Sequence, residues 1–204
     1  MINSPRLAFF VSGNGSNAKA IIDSCKQSVL DACPVLLISN NKSSKALVWA
    51  KSYNVRVEYI NPKKFISLDE ADTLHLNILK EMKVDFVILA GYLSKIGYKV
   101  IKYFKNRIIN IHPSLLPKYG GKGMFGIKIH ERVIDSGEDE TGITIHVVSG
   151  DYDMGHILAQ KKIKVLKDES AYSLSKRVLE QEHIFYTYTL NKIFSGKIDL
   201  KNLE

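Results

Sequence analysis

The sequence predicts an α/β protein with a Rossmann-like, mainly parallel sheet flanked by helices and with antiparallel strands at one edge. Three observations carry this expectation. Short apolar segments alternate with amphipathic ones four times before residue 112, the rhythm of strand–helix units in a parallel sheet. Residues 86–90 are apolar without alternation, which means burial on both faces of the strand. Later, Ile143, Ile145 and Val147 alternate with Thr144 and His146, a period of two that fits a late antiparallel strand.

The elements follow in order. Residues 6–12 are rich in Leu, Phe and Val and end at a glycine turn. In residues 17–26, Ala18, Ile21 and Ile22 share one helical face. Strands are expected at 34–39 and 56–60, with a helix at 44–53 between them that Ser43 or Ser44 could cap. Residues 67–82 form the next helix, with Ser67, Asp69 and Glu70 placed to favour its N-terminal dipole. A strand at 85–91, a helix at 94–104 and a buried strand at 107–111 complete the first part. Pro113, Pro117 and four glycines between 120 and 126 then mark a long loop. A helix at 127–136 ends at Gly137, strands follow at 141–149 and 157–165, and a helix at 170–194 closes the chain with a Tyr186, Leu190, Ile193 stripe.

Composition narrows the class. Hydrophobic residues make up 45% and charged residues 25% of the 204 residues, which suits one folded domain and excludes a disordered chain. No apolar run is long enough to span a bilayer, and the N-terminus does not read as a secretory signal. A cytoplasmic protein is expected. Cys25 and Cys33 form no C-x-x-C pair, and no cluster has zinc spacing, so two ordinary half-buried thiols and no metal are expected. The net charge of +8 is spread over scattered lysines. It fits a solvated surface or small anionic substrates, and nucleic acid only weakly.

Open parallel sheets bind ligands beyond the carboxyl ends of their strands. The first such turn is Ser12-Gly-Asn-Gly-Ser-Asn17. Gly13 and Gly15 permit close backbone approach, and the helix behind them offers amides to an anion. A dinucleotide would need an acidic residue at the end of the second strand, where Ser39, Asn40 and Asn41 stand instead. The loop is therefore read as holding a single phosphate, with a purely structural turn left open. At another strand end, Asn110 and His112 lie two apart and face the same way. An amide and an imidazole before a Pro113 turn suggest function, although a structural histidine there is about as common.

The run Asn110-Ile-His-Pro-Ser-Leu-Leu-Pro117 resembles the signature of folate-dependent formyltransferases. With the Ser12–Asn17 loop, Leu89-Ala-Gly91, Thr141-Gly-Ile-Thr-Ile-His146 and Asp153, its order and spacing are similar to the branch that formylates glycinamide ribonucleotide. The likeness runs over nearly the whole chain. It implies transfer of the formyl group of 10-formyltetrahydrofolate, a co-substrate, to the amine of 5'-phosphoribosylglycinamide in purine biosynthesis. Another amine, such as that of an amino-sugar nucleotide, is the alternative. Members acting on other acceptors usually carry an extra domain, and the few residues after 194 leave no room to expect one. The resemblance divides residues 1–204, one formyltransferase domain, into a nucleotide-binding half at 1–112 and a folate-site and closing-helix half at 113–204.

The same resemblance assigns roles. Asn110, His112 and Asp153 are the implied catalytic residues. Protonated His112 and the Asn110 amide would meet the developing oxyanion, and Asp153 would favour the charged imidazole. Gly15, Ser16 and Asn17 would hold the phosphate. Glu182, on its own a solvated helix carboxylate, would hold the ribose. Leu93, Ser94, Lys95, Ile96, Asn110, Ser149, Gly150, Asp151 and Tyr152 would contact the folate. No metal is implied. The partners are these small molecules, with no nucleic acid or membrane, in a monomer or homodimer. Two departures stand out: Gly120-Gly-Lys-Gly-Met-Phe-Gly126 is longer than the corresponding loop of some relatives, and Leu68 stands about where relatives place an arginine near the folate tail, with Lys63 or Lys64 as possible substitutes. The loop is expected to act as a mobile lid carrying Lys122 toward an anion. His146 and His156 are read as structural or supporting, and His75 and His183 as surface or packing residues.

Overall fold

In β1 (Arg6–Val11), all side chains from Leu7 onward are buried, and alternate residues enter different cores. Leu7, Phe9 and Val11 point to one side of the sheet, and Ala8 and Phe10 to the other. That is the meaning of an apolar run without alternation: helices cover both faces. The computed structural model describes residues 4–201 and 203.

Seven strands form one sheet in the order β3-β2-β1-β4-β5-β6-β7. β2 (Cys33–Ser39), β3 (Arg56–Tyr59), β4 (Phe86–Leu89) and β5 (Ile108–His112) continue the parallel pattern from β1. β6 (Glu140–Val147) and β7 (Ile157–Lys164) add to β5 antiparallel, as expected. The sheet grows one way from β1 to β3 and the other way from β4, so a switch point opens between β1 and β4. The carboxyl ends of β1, β4 and β5 surround it.

On one face pack α1 (Ser16–Lys26), α5 (Ile127–Asp135) and α6 (Ala171–Phe194), which supply Ile21, Val133, Val178 and the predicted Tyr186, Leu190 and Ile193 stripe. On the other pack α3 (Leu68–Glu81) and α4 (Tyr98–Tyr103), through Ile78, Leu79 and Val100. Burying each such side chain contributes roughly 1.5–3 kcal/mol. Tyr186 is fully buried, and its hydroxyl bonds the carbonyls of Leu89 and Ile109 at 3.1 and 2.8 Å. One side chain of the last helix thus ties together the ends of two central strands. The Ser67 hydroxyl caps α3 by accepting from the Glu70 amide, as its sequence position suggested.

Two helices differ from expectation. The segment 44–53 is a short α2 (Ala46–Trp49) followed by a 3-10 turn (Ala50–Tyr53). Ser44 spends its hydroxyl proton on the Gly13 carbonyl, outside the helix. The helix expected from residue 94 begins only at Tyr98, because its cap comes from elsewhere. The Asp72 carboxylate of α3 accepts from the amides of Lys99 and Val100, at 2.6 and 3.3 Å. A Cβ at Gly97 would lie 2.0 Å from the Asp72 carboxyl carbon, so only glycine fits there. Residues 93–96 are left as non-helical backbone facing the switch point. Both cysteines are free thiols, Cys25 half-buried and Cys33 exposed rather than half-buried.

Candidate active site

The turn after β1 sets Gly15 at φ 66 as the cap of α1. No side chain bonds the first amides of this helix, and no acidic residue stands in its first turn. The positive end of the helix is therefore not neutralised from within. The loop's carbonyls face away: Ser12 accepts from Asn41 Nδ2 at 3.0 Å, Gly13 from Ser44 Oγ, and Asn14 from Trp49 Nε1 at 2.9 Å. Asn17, expected at the phosphate, donates from Nδ2 to Glu182 Oε2 at 2.9 Å. Glu182 is 6% exposed, so it is no solvated carboxylate. Burial pushes its pKa up to about 7, and the Asn17 hydrogen bond pulls the other way.

At the end of β5 the antiparallel register sets Asn110 opposite His146 and His112 opposite Thr144. His146 Nδ1 lies 2.9 Å from the Val147 carbonyl and therefore carries the proton, so Nε2 accepts from the Asn110 amide at 3.0 Å. Thr144 holds the proline turn: its hydroxyl donates to the Ser114 carbonyl and accepts from the Leu116 amide. The turn, whose Leu116–Pro117 bond is cis, brings the Tyr119 carbonyl to His112 Nε2 at 2.8 Å. Asp153 sits at φ 56 in the β6–β7 loop. Its carboxylate accepts from the Gly121 amide at 2.9 Å and lies 3.5 Å from His112 Nδ1 and 3.6 Å from His146 Nε2.

The charges in this cluster are coupled. Burial alone would raise the Asp153 pKa, but the His112 imidazole and the Gly121 amide pull the other way, and it lies below the usual value. Asp153 is an anion at neutral pH. For His112 the balance differs from the sequence-based expectation: burial lowers its pKa more than Asp153 and the Tyr119 carbonyl raise it. Behind it, burial and the nearby His112 charge push His130 down to about 4.

A cavity of about 350 Å³ opens beside this cluster. Leu89, Tyr92, Ile96 and Val148 give it apolar walls, while Asn110, His146 and Asp153 stand at its polar end. The nine residues expected at the folate, in segments 93–96 and 149–152 and at Asn110, all line it. Gly121, Lys122, Gly123, Met124 and Phe125 of the long glycine loop form a further wall. His112 is not among the lining residues and is 5% exposed. It sits behind Asp153, while His146, read from sequence as a supporting residue, lines the cavity. The signal for His146 was its strand period, which needed the β5–β6 register to become a neighbour of Asn110. A second hollow of about 810 Å³ continues past residues 93–96 and is lined by Lys63, Leu68 and His75. His75 is buried against Phe10 rather than on the surface, and burial lowers its pKa to about 4.

The turn after β1 and the cavity adjoin. The Ser12 hydroxyl accepts from the Leu93 amide at 2.8 Å, and the Asn40 amide donates to Ser94 Oγ. Among the described residues, no group of three or more His, Cys, Asp or Glu side chains converges as a metal site does, and no helix is long and apolar enough to cross a membrane.

A helix terminus open to an anion thus adjoins an apolar cavity with an Asn–His–Asp end on a Rossmann-like sheet. The chain belongs to the formyl transferase family, whose profile matches residues 5–190. It is similar to phosphoribosylglycinamide formyltransferases. It is 40% identical to the chloroplastic enzyme of Arabidopsis thaliana over 95% of this chain, although it spans only 66% of that relative's length. It is 32% identical to the Haemophilus influenzae enzyme over 97% of this chain and 91% of the relative. The crystal structure of the Bacillus halodurans enzyme matches with a TM-score of 0.87 at 34% identity, covering 94% of this chain and 96% of that one.

Proposed function

We propose that this protein transfers the formyl group of 10-formyltetrahydrofolate to the amine of 5'-phosphoribosylglycinamide, a step of purine biosynthesis. The observation that carries this reading is the placement of ionised Asp153 beside the Asn110 amide, at the polar end of a cavity that adjoins the Gly15–Asn17 helix terminus. The cavity fits the folate: its apolar walls suit a flat heterocycle, and the turns at 93–96 and 149–152 offer backbone groups to its polar edge. The folate supplies the activated one-carbon unit. Each subsite draws on both halves of the chain, since Glu182 reaches the nucleotide loop and residues 93–96 the folate cavity.

The chain's own groups then do three things. The amides of Gly15, Ser16 and Asn17 hold the nucleotide phosphate, and Glu182 meets the ribose hydroxyls. The Asn110 amide, kept in place by His146 Nε2, donates to the formyl oxygen as negative charge develops there. As the amine attacks the formyl carbon, a carbon–nitrogen bond forms and the amine must lose a proton. Asp153 takes it and shares it with His112 Nδ1. The protonated ring then has an acceptor on each side, Asp153 and the Tyr119 carbonyl. When the bond from the formyl carbon to the folate nitrogen breaks, the same pair returns the proton to that nitrogen, so none is gained or lost. His112 therefore works through Asp153 rather than at the oxyanion directly.

The substrates are small molecules, with no nucleic acid or membrane partner. The two free thiols fit a reducing compartment such as the cytoplasm. The test is an absorbance assay with both substrates, each omitted in turn. Turnover that needs both supports the reading. Turnover without the nucleotide would point to a hydrolase, and none with this amine would move the question to amino-sugar nucleotides.

A further inference from the structure

We propose that Trp49, with Asn41 and Ser44, is a positioning residue for the nucleotide phosphate. This rests on the phosphate reading of the Gly15–Asn17 turn given above. Three consecutive carbonyls of that turn, those of Ser12, Gly13 and Asn14, each accept from one side chain of the stretch between β2 and the end of α2. A carbonyl dipole aimed at an anion repels it. Donors that turn three carbonyls outward leave the amide edge of the turn to face the ligand.

The donors are themselves fixed. Asn41 Oδ1 accepts from the Ser43 amide at 3.0 Å. Ser44 is 3% exposed, and its oxygen accepts from the Ala46 amide. The Trp49 indole packs edge-on against Tyr53, with ring centroids 5.6 Å apart. The turn also rests directly on α2. A Cβ at Gly15 would come within 2.9 Å of Ala46 Cβ and 3.2 Å of Trp49 Cζ2. A second sign of a ligand is Asn17 Oδ1, an acceptor without a partner although Asn17 is 8% exposed; it calls for a donor such as a ribose hydroxyl, next to the amides that face the phosphate. A dinucleotide-binding chain would place an acidic residue after β2. This chain places hydrogen-bond donors there, and they serve the loop instead of a ribose.

The experiment compares Trp49→Phe and Ser44→Ala with wild type. Phenylalanine keeps an aromatic ring beside Tyr53 and removes the N–H. Each variant should raise the KM for the ribonucleotide and the calorimetric Kd for ribose 5-phosphate about fivefold to tenfold, the size of one ordinary hydrogen bond. The KM for the folate should stay within about twofold. Unchanged nucleotide constants in both variants overturn the proposal, as does an equal rise in both KM values with a lower Tm, which marks general damage. If the wild type binds ribose 5-phosphate, with weaker binding in the variants, but shows no turnover, the positioning role stands and the proposed reaction falls. If the wild type neither binds nor turns over, both fall.

Discussion

The side chains of Asn17 and Glu182, 165 positions apart in the sequence, meet across a 2.9 Å hydrogen bond that joins the start of the first helix to the middle of the last. The burial of Glu182, which this hydrogen bond only partly offsets, makes the stability of the protein depend on pH. In the fold Glu182 keeps its proton up to about pH 7, whereas the unfolded chain loses it near 4.5. The native state thus binds more protons between those values, and stability falls as pH rises from 4.5 to 7. Glu182→Gln should flatten that slope and stabilise the protein at pH 8 by on the order of 3 kcal/mol. It should also weaken nucleotide binding. Urea unfolding at pH 5 and pH 8 checks the first expectation, and a difference from wild type that does not grow with pH would refute it.

In the proposed mechanism Asp153 and His112, 3.5 Å apart, act as one unit, so their losses should not add. Asp153→Asn should cut kcat by about 100- to 10,000-fold through loss of the proton acceptor. His112→Ala should fall in the same range, and the double variant should be little worse than either single one. Because Asp153 is held below its usual pKa, wild-type activity should persist into mild acid before this carboxylate is protonated. Steady-state rates for the three variants test the coupling, and near-normal turnover of Asp153→Asn would remove it from the mechanism.

His146 tests the part of the cluster that the strand register creates. His146→Ala removes the acceptor that orients Asn110 and should lower kcat about tenfold, the effect of one lost hydrogen bond near the reacting centre. His146→Gln, whose side-chain oxygen can accept from Asn110, should recover part of the loss. Equal kcat for wild type and His146→Ala would show that Asn110 needs no such partner.

The Asp72 cap on α4 links stability to the cavity wall at residues 93–96, the proposed folate contact. Gly97→Ala forces a methyl group against the Asp72 carboxyl and should cost about 1–3 kcal/mol by overpacking. Asp72→Ala should cost about 0.5–2 kcal/mol through loss of a cap. Both should raise the folate KM, because residues 93–96 lead directly into α4. Denaturant melts paired with the two KM values check this, and a rise in the nucleotide KM alone would contradict it.

Much of this protein is legible in its sequence because local periodicity reflects burial. The runs at 7–11 and 86–90 announced strands covered on both faces, the Tyr186, Leu190 and Ile193 stripe announced a packed closing helix, and Asn110 and His112 announced a polar strand end. The segments expected at the folate all reached one cavity because they occupy loops at the same end of the sheet. What the sequence could not determine were contacts between groups far apart along the chain. The start of α4 depends on Asp72 of another helix, and the orientation of the turn after β1 on Asn41, Ser44 and Trp49. The promotion of His146 to the cavity wall and the withdrawal of His112 behind Asp153 follow from the β5–β6 register and the fold of the Pro113–Tyr119 turn. Local pattern fixes which residues are buried. Only the tertiary structure decides which buried polar groups become partners, because that depends on where separate elements come to rest.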